Sequence, residues 1–337
     1  MNKRLLSILQ FIVFFGLGIF LVWWSIHKMD DKNWQDCKNA LHSARYFLFI
    51  PVFFILALSH ISRAIRWKIL MKPMGYSPGL LNTFCAVMVG YLANLAIPRL
   101  GEVLKCTILG KYEKVPPDKL IGTILVERAV DLISLLIIFI IALLSQANII
   151  GAYAKKTIVD KFFAGSIEYF LLKIFFVVAA ILFIYFLLKF LFRRFSHSVF
   201  IIKIKNIITG IGIGLSTIRM LKNKWAFIFH SILIWSCYVA GTYIGFFAIR
   251  ETIHLPFAAA FPVLAFASIG MIITPGGIGA YPLFIMEVMA LYSIEEGYGF
   301  ANGTLQWLAQ FIIILFVGFI CLLLLPYINR KKNEISQ

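Results

Sequence analysis

A chain of 337 residues that is 61% apolar, with 33 Phe and only 14% charged side chains, falls outside the range of soluble globular proteins, which run roughly half apolar and a quarter charged. Its formal net charge of +17 does not call for a nucleic-acid partner, because the basic residues lie between apolar runs, where anionic lipid heads are the natural counter-ions. Five scattered cysteines without CxxC or Cys/His spacing exclude a disulfide framework and a zinc site, and no metal or cofactor is expected.

The first apolar run, Leu6–Ile26, follows Lys3 and Arg4. No small-residue cleavage pattern follows Ile26; the chain continues His27-Lys28-Met29-Asp30, so the run reads as a retained spanning helix and not a removed signal. The second, Phe47–Leu70, exceeds the roughly 20 residues needed to cross a hydrocarbon core. Its far end carries Arg63 and Arg66 beside His60, Trp67 and Lys68. Cationic anchors that snorkel to the interface beside a Trp account for that composition. The alternative is a cationic path toward Arg99, since the planar fork of arginine suits phosphate oxygens.

Leu80–Ile97 is apolar but interrupted, running through Asn94 into Pro98-Arg99-Leu100-Gly101-Glu102. Lys68 and Lys72 precede it, and Lys105 and Lys111 follow. A full crossing would put one of these basic flanks outside, so the segment is expected to enter and return on the same side. Pro98 fits the first turn of a helix, which sets Arg99 near the positive end of a helix dipole, a place that suits an anion. An ordinary cytoplasmic charge cluster is the plainer reading.

The run Leu120–Leu144 carries Glu127, Arg128 and Asp131 about a third of the way in. Helical spacing puts Glu127 above Asp131 at i,i+4 and lets Arg128 reach Asp131 at i,i+3. A charge at that depth costs roughly 2.5–3.5 kcal/mol, so all three must face protein or water. They read as an ion-paired clamp, as a headgroup or proton site, or as both. Beyond the span Tyr169–Leu191, the stretch Arg193–Lys224 mixes Ile201, Ile202, Ile204, Ile207 and Ile208 with Lys203 and Lys205, the composition of a helix lying on the membrane surface.

After the span Trp225–Ala248, a second interrupted stretch, Leu255–Leu291, contains Thr274-Pro275-Gly276-Gly277-Ile278-Gly279. Such a turn brings backbone N–H groups close to a ligand or a neighbouring helix. It is not a Walker A loop, because no Gly-Lys-Ser/Thr follows. Glu287 is the only acid in that stretch, either a proton carrier or a hydrogen-bonded core residue. The run Leu305–Leu325 closes the chain.

With the amino terminus inside and six long runs crossing, the inner segments hold 22 of the 32 Lys and Arg. That bias assigns both termini to the cytoplasmic side of the cell inner membrane. The expected architecture is an all-α polytopic membrane protein, a single integral domain over residues 1–337. It has six to eight transmembrane helices and two re-entrant (broken-helix) hairpins. Irregular backbone at membrane depth is tolerated only in protein or beside a wet cavity. Broken segments in the two halves, entered from opposite faces, point to a midplane site and an inverted repeat; an eight-span topology is the rival.

Arg63 to Trp67, Asn94 with Pro98-Arg99-x-Gly101-Glu102, Glu127-Arg128-x-x-Asp131, and Pro275-Gly276-Gly277-Ile278-Gly279 occur in that order. Together, over roughly Leu5 to Leu325, they resemble the flippase-like lysylphosphatidylglycerol synthetase transmembrane-region family. The resemblance implies a domain like the lipid-translocating portion of a bifunctional synthetase/flippase that moves aminoacylated phosphatidylglycerol between leaflets. No aminoacyl-transferase domain follows before Gln337, so lipid aminoacylation is not expected. Two positions depart from the family pattern. Lys105 stands where Arg is frequent, which keeps the charge and loses the bidentate grip. Ala280-Tyr281-Pro282 follows the glycine-rich turn where many members place a Glu.

The functional expectation is a lipid translocase acting on an anionic phospholipid or a polyprenyl-phosphate-linked lipid. Arg63, Arg66, Asn94, Arg99, Glu102 and Arg128 would bind the headgroup phosphate. Glu127, Asp131 and Glu287 would carry protons or ion pairs, and Pro98, Gly101, Pro275, Gly276, Gly277 and Gly279 would form the backbone turns. Catalytic and ATPase motifs are missing, so an enzyme is not expected and transport would be passive or gradient-driven. Expected partners are anionic membrane lipids and lipid- or glycan-synthesis enzymes. Two rivals stand beside this reading: a membrane-embedded transferase on a lipid-linked donor, with Glu127 and Asp131 as its acid/base pair, and a lipid-binding scaffold or regulator that moves nothing.

Overall fold

In hydrocarbon a backbone must hydrogen-bond to itself, so long apolar stretches become helices. A computed structural model describes residues 3–97, 99–146 and 221–334. Among these, all regular structure is helical. The α-helices are α1 (Lys3–Lys28), α2 (Asp31–Ser43), α3 (Phe49–Met71), α4 (Leu80–Ala96), α5 (Leu100–Glu113), α6 (Pro117–Ser145), α7 (Lys224–Phe246), α8 (Ala260–Ile273), α9 (Ala280–Ala290) and α10 (Glu296–Glu334). The expected span Tyr169–Leu191 and nearly all of the Arg193–Lys224 surface helix lie outside the described residues, as does Pro98.

Among the described residues, three stretches are long and apolar enough to cross a membrane: Tyr46–Met74, Lys224–Phe246 and Glu296–Arg330. Phe54, Ile232, Phe316 and Leu323 stand bare on their outer faces, a surface suited to lipid and costly in water. One end of the bundle carries Lys72, Lys111, Lys224 and Arg330; the other mixes Asp30, Asp31, Glu295 and Glu296 with Lys28 and Lys32. At the mixed-charge end Asp30 caps α2 by accepting from the Asn33 N–H at 2.7 Å, offsetting one orphan donor of the helix start. The Asn33 side chain then accepts from Gly297 N at 3.2 Å, which ties α2 to the first turn of α10. At the basic end, Asn82 on α4 and Asn329 on α10 exchange amide hydrogen bonds of 2.9 and 2.8 Å.

Besides α2, four helices among the described residues are too short to span. At 1.5 Å per residue, α4 and α5 measure about 25 and 21 Å, and α8 and α9 about 21 and 17 Å, against a hydrocarbon core of about 30 Å. Each pair folds back on itself. In the first, Gly90 packs on Gly101 so closely that a Cβ on Gly101 would enter the Gly90 carbonyl. The second pair turns through Gly276, Gly277 and Gly279, with φ of 60, 75 and 73°, a region open to glycine at little cost. Thr274 Oγ1 donates to the Ile278 carbonyl at 2.9 Å and Trp307 Nε1 on α10 donates to the Gly276 carbonyl at 2.7 Å. These bonds fix the irregular backbone.

The two hairpins start from opposite ends of the bundle and their tips meet, Leu95 lying against Gly276. α3 and α7 run antiparallel beside them, and α10 passes along both, its Gly318 seated on Leu92 of α4. Helix positions follow the apolar runs to within a few residues, except that α10 begins nine residues before Leu305, because the tie between α2 and α10 extends the helix past its apolar part.

Candidate functional site

Helical spacing sets Arg63 and Arg66 on one face of α3, and that face looks inward. Arg63 Nη1 reaches Asp131 Oδ2 at 2.6 Å, and Arg66 Nη2 reaches Asp131 Oδ1 at 2.7 Å. The carboxylate on α6 therefore holds one arginine on each oxygen. The remaining donors are partly matched: Arg63 Nη2 donates to Tyr238 Oη and Arg66 Nη1 to Ser231 Oγ, both on α7 at 3.3 Å. The Arg66 side chain is 0% exposed and that of Arg63 11%. Interfacial snorkelling is thus overturned for both, because an internal carboxylate with two good bonds removes the reason to reach for water.

Arg128 does not pair with Asp131, as its spacing on α6 suggested. Both Asp131 oxygens are taken, and Arg128 turns instead to Glu102 on α5, with Nε at 2.9 Å and Nη2 at 2.7 Å from the same oxygen, Oε1. Lys105, one turn further along α5, donates to Glu127 Oε2 at 2.6 Å and lies 4.5 Å above the Trp67 ring. Trp67 Nε1 in turn donates to Thr123 Oγ1 at 2.8 Å. Each acid of the cluster is held by a neighbouring helix. Four cations (Arg63, Arg66, Lys105, Arg128) face three carboxylates (Glu102, Glu127, Asp131), an excess of one positive charge.

The other expected residues fall in several places. Asn94 spends its carbonyl oxygen on the Gly101 N–H at 2.8 Å, which caps α5 in the manner of a helix N-cap. Arg99 stands exposed at the start of α5 with φ of 69° and no ion pair among the described residues. Such a left-handed non-glycine residue costs on the order of 1 kcal/mol or more. Glu287, on α9, is half-exposed and 3.6 Å from Lys28 of α1, apart from the cluster. Pro275, Gly276, Gly277 and Gly279 lie in the turn between α8 and α9. Among the described residues, no group of three or more His, Cys, Asp or Glu is arranged to hold a metal.

Two cavities meet at the ion pairs. The larger, about 330 Å³, runs from Leu48 and Ala248 at the mixed-charge end to Arg63, Arg128 and Asp131. The smaller, about 20 Å³, lies on the first-hairpin side, among Tyr91, Asn94, Gly101, Glu102, Lys105 and Glu127. It shares Arg63, Arg128 and Asp131 with the larger one, so these three side chains form the partition. Glu127 Oε1 and Arg63 Nε are buried there without a hydrogen-bond partner. The large cavity also takes in Tyr281 and two residues not anticipated from sequence, Gln306 and Gln310. Their signal was present: Asn302, Gln306 and Gln310 repeat at four-residue steps, placing three amides on one stripe of an apolar helix.

Long apolar helices with bare outer faces, packed around buried ion pairs, define a multi-span helical membrane protein. The chain belongs to the lysylphosphatidylglycerol synthase TM region family, which it matches over residues 7–333. It is also 22% identical over 299 residues to the UPF0104 membrane protein MJ1595 of Methanocaldococcus jannaschii, a match covering 85% of this chain and 87% of that protein. No solved structure matches it.

Proposed function

We propose that this protein is a lipid translocase of the cell inner membrane that carries an anionic, phosphate-bearing headgroup between leaflets. On this reading both termini are cytoplasmic, and α4–α5 and α8–α9 are re-entrant hairpins entering from opposite faces. The single observation that carries it is the 330 Å³ cavity ending on an ion-pair cluster with one surplus positive charge. Family membership supports a lipid-related role.

Arg128 is the contact residue. Its side chain is 55% exposed, and its bonds to Glu102 use Nε and Nη2, which leaves Nη1 for a phosphate oxygen in a charge-assisted bond. Binding there neutralises the surplus charge without breaking any ion pair. Acyl or polyprenyl chains stay in the bilayer while the head rests in the hollow. Passage past the partition requires the first hairpin to shift. Its Gly90–Gly101 contact, with no side chain between the backbones, is suited to sliding. Asp131 is not a general base for a transferase, since both of its oxygens are bonded to arginine.

The test is leaflet exchange of a fluorescent phospholipid in proteoliposomes, with anionic and zwitterionic headgroups compared. Exchange of the anionic lipid should fall at least tenfold in Arg128→Ala. Exchange unchanged by that substitution would refute the proposal.

A further inference from the structure

The structure points to the chemistry of the headgroup beyond its phosphate, an inference that rests on the phosphate-binding role of Arg128. Away from the ion pairs and Ser268, α3, α6 and α8 line the large cavity with apolar side chains, among them Val52, Leu56, Leu132, Leu135 and Leu264. The part formed by α7, α9 and α10 is more polar. There Trp235, Tyr238, Thr242, Tyr281, Gln306 and Gln310 face the same space.

Their hydrogen-bonding capacity is only partly used. Trp235 Nε1 is buried with no partner among the described residues. The Tyr238 hydroxyl accepts from Arg63 and the Tyr281 hydroxyl accepts from Gln310 Nε2 at 2.8 Å, and neither hydroxyl hydrogen has an acceptor among the described residues. Gln306 gives its Nε2 to Asn302 at 2.7 Å; with Gln310 it offers two amide oxygens that accept nothing from the described residues. Among the described residues this side therefore presents at least three donors on aromatic rings and two glutamine amide oxygens as acceptors, all uncharged. Leaving a buried polar group unpaired is costly, so this wall is matched to a ligand with hydroxyl groups, which donate and accept alike.

Among the described residues the same cavity has no carboxylate to spare for an ammonium. Asp131 is the only one of them that lines it, and two arginines hold both of its oxygens. Glu102 and Glu127 line only the small cavity, on the other side of the partition, and they are committed to Arg128 and Lys105. A buried ammonium without a counter-charge costs several kcal/mol. A volume of about 330 Å³ holds on the order of eleven waters, more than enough room for one sugar ring.

We propose that the headgroup is a phosphodiester bearing one uncharged, polyhydroxylated group, a glycosyl or cyclic polyol unit, and not an aminoacyl ester. The experiment is calorimetric titration of the purified full chain with three dioctanoyl lipids: phosphatidylinositol, phosphatidic acid and lysyl-phosphatidylglycerol. The inositol lipid should bind at least about 5-fold tighter than phosphatidic acid, from two or more neutral hydrogen bonds at roughly 2- to 10-fold each. The lysyl lipid should bind weakest. Trp235→Phe removes one N–H and no protein hydrogen bond, so the fold is spared. It should cost the inositol lipid about 2- to 10-fold and leave phosphatidic acid unchanged, and Gln306→Leu should act in the same direction. Equal binding of the inositol lipid and phosphatidic acid, or tightest binding of the lysyl lipid, would overturn the proposal while leaving the phosphate role of Arg128 standing. Phosphatidic acid binding that is absent, or indifferent to Arg128→Ala, would overturn both.

Discussion

Replacing Asp131 by Asn leaves two arginines of α3 facing each other without their shared carboxylate. The amide keeps the shape and one acceptor, yet the local charge rises by one unit between groups whose side chains are 0% and 11% exposed. Removing one partner of a buried pair costs about 3–5 kcal/mol. Neither arginine is exposed enough for solvent to screen that loss. Spread over a chain of 337 residues, at about 1.4 °C per kcal/mol, the thermal midpoint should fall by roughly 4–7 °C. The assay is loss of the monodisperse peak on fluorescence-detected size exclusion after heating in detergent. Replacing the whole triad with apolar residues of similar volume, Arg63→Met, Arg66→Met and Asp131→Leu, should recover most of the loss, because the cost lies in the uncompensated charge and not in the missing bonds. An Asp131→Asn midpoint within 1 °C of the parent would refute the reasoning.

Arg128→Ala removes an ion pair whose partners are 55% and 30% exposed, so the same heating assay should show a change within about 1 kcal/mol even as lipid exchange collapses. Gly101→Ala drives a methyl into the Gly90 carbonyl, and overpacking of this kind costs about 1–3 kcal/mol; protease sensitivity near the α4–α5 turn should rise. Trp307→Phe deletes the bond that holds the Gly276 carbonyl, worth about 1 kcal/mol, and should slow lipid exchange with little loss of expression.

How much was readable beforehand depended on the range of the interaction. The run Phe47–Leu70 became Phe49–Met71, because lipid leaves an apolar stretch no alternative to a helix. The two interrupted stretches were found by Pro and Gly, whose backbone limits are local. Ion pairing was not local. Arg63 and Asp131 are 68 residues apart, and spacing alone made Arg128 the better partner for Asp131, since nothing in one helix tells which neighbour it will face. The same blindness produced the snorkelling reading of Arg66, which is wholly buried. Asn94 looked like a ligand and caps a helix. Gln306 and Gln310 carried a helical signal that was hidden by the apolar average of their run.

On the proposed function, a water-accessible hollow lined from α3, α6, α7, α8, α9 and α10 receives the headgroup. All five native cysteines are buried, so a variant with them replaced by Ala or Ser gives a clean background for one reporter, Gln306→Cys. A membrane-impermeant maleimide should label that cysteine from the periplasmic face of intact cells and not from the cytoplasmic face of inverted vesicles. Anionic short-chain lipid should slow the labelling at least several-fold. A reporter unreactive from both faces would mean that the space is dry and sealed, and would contradict the account.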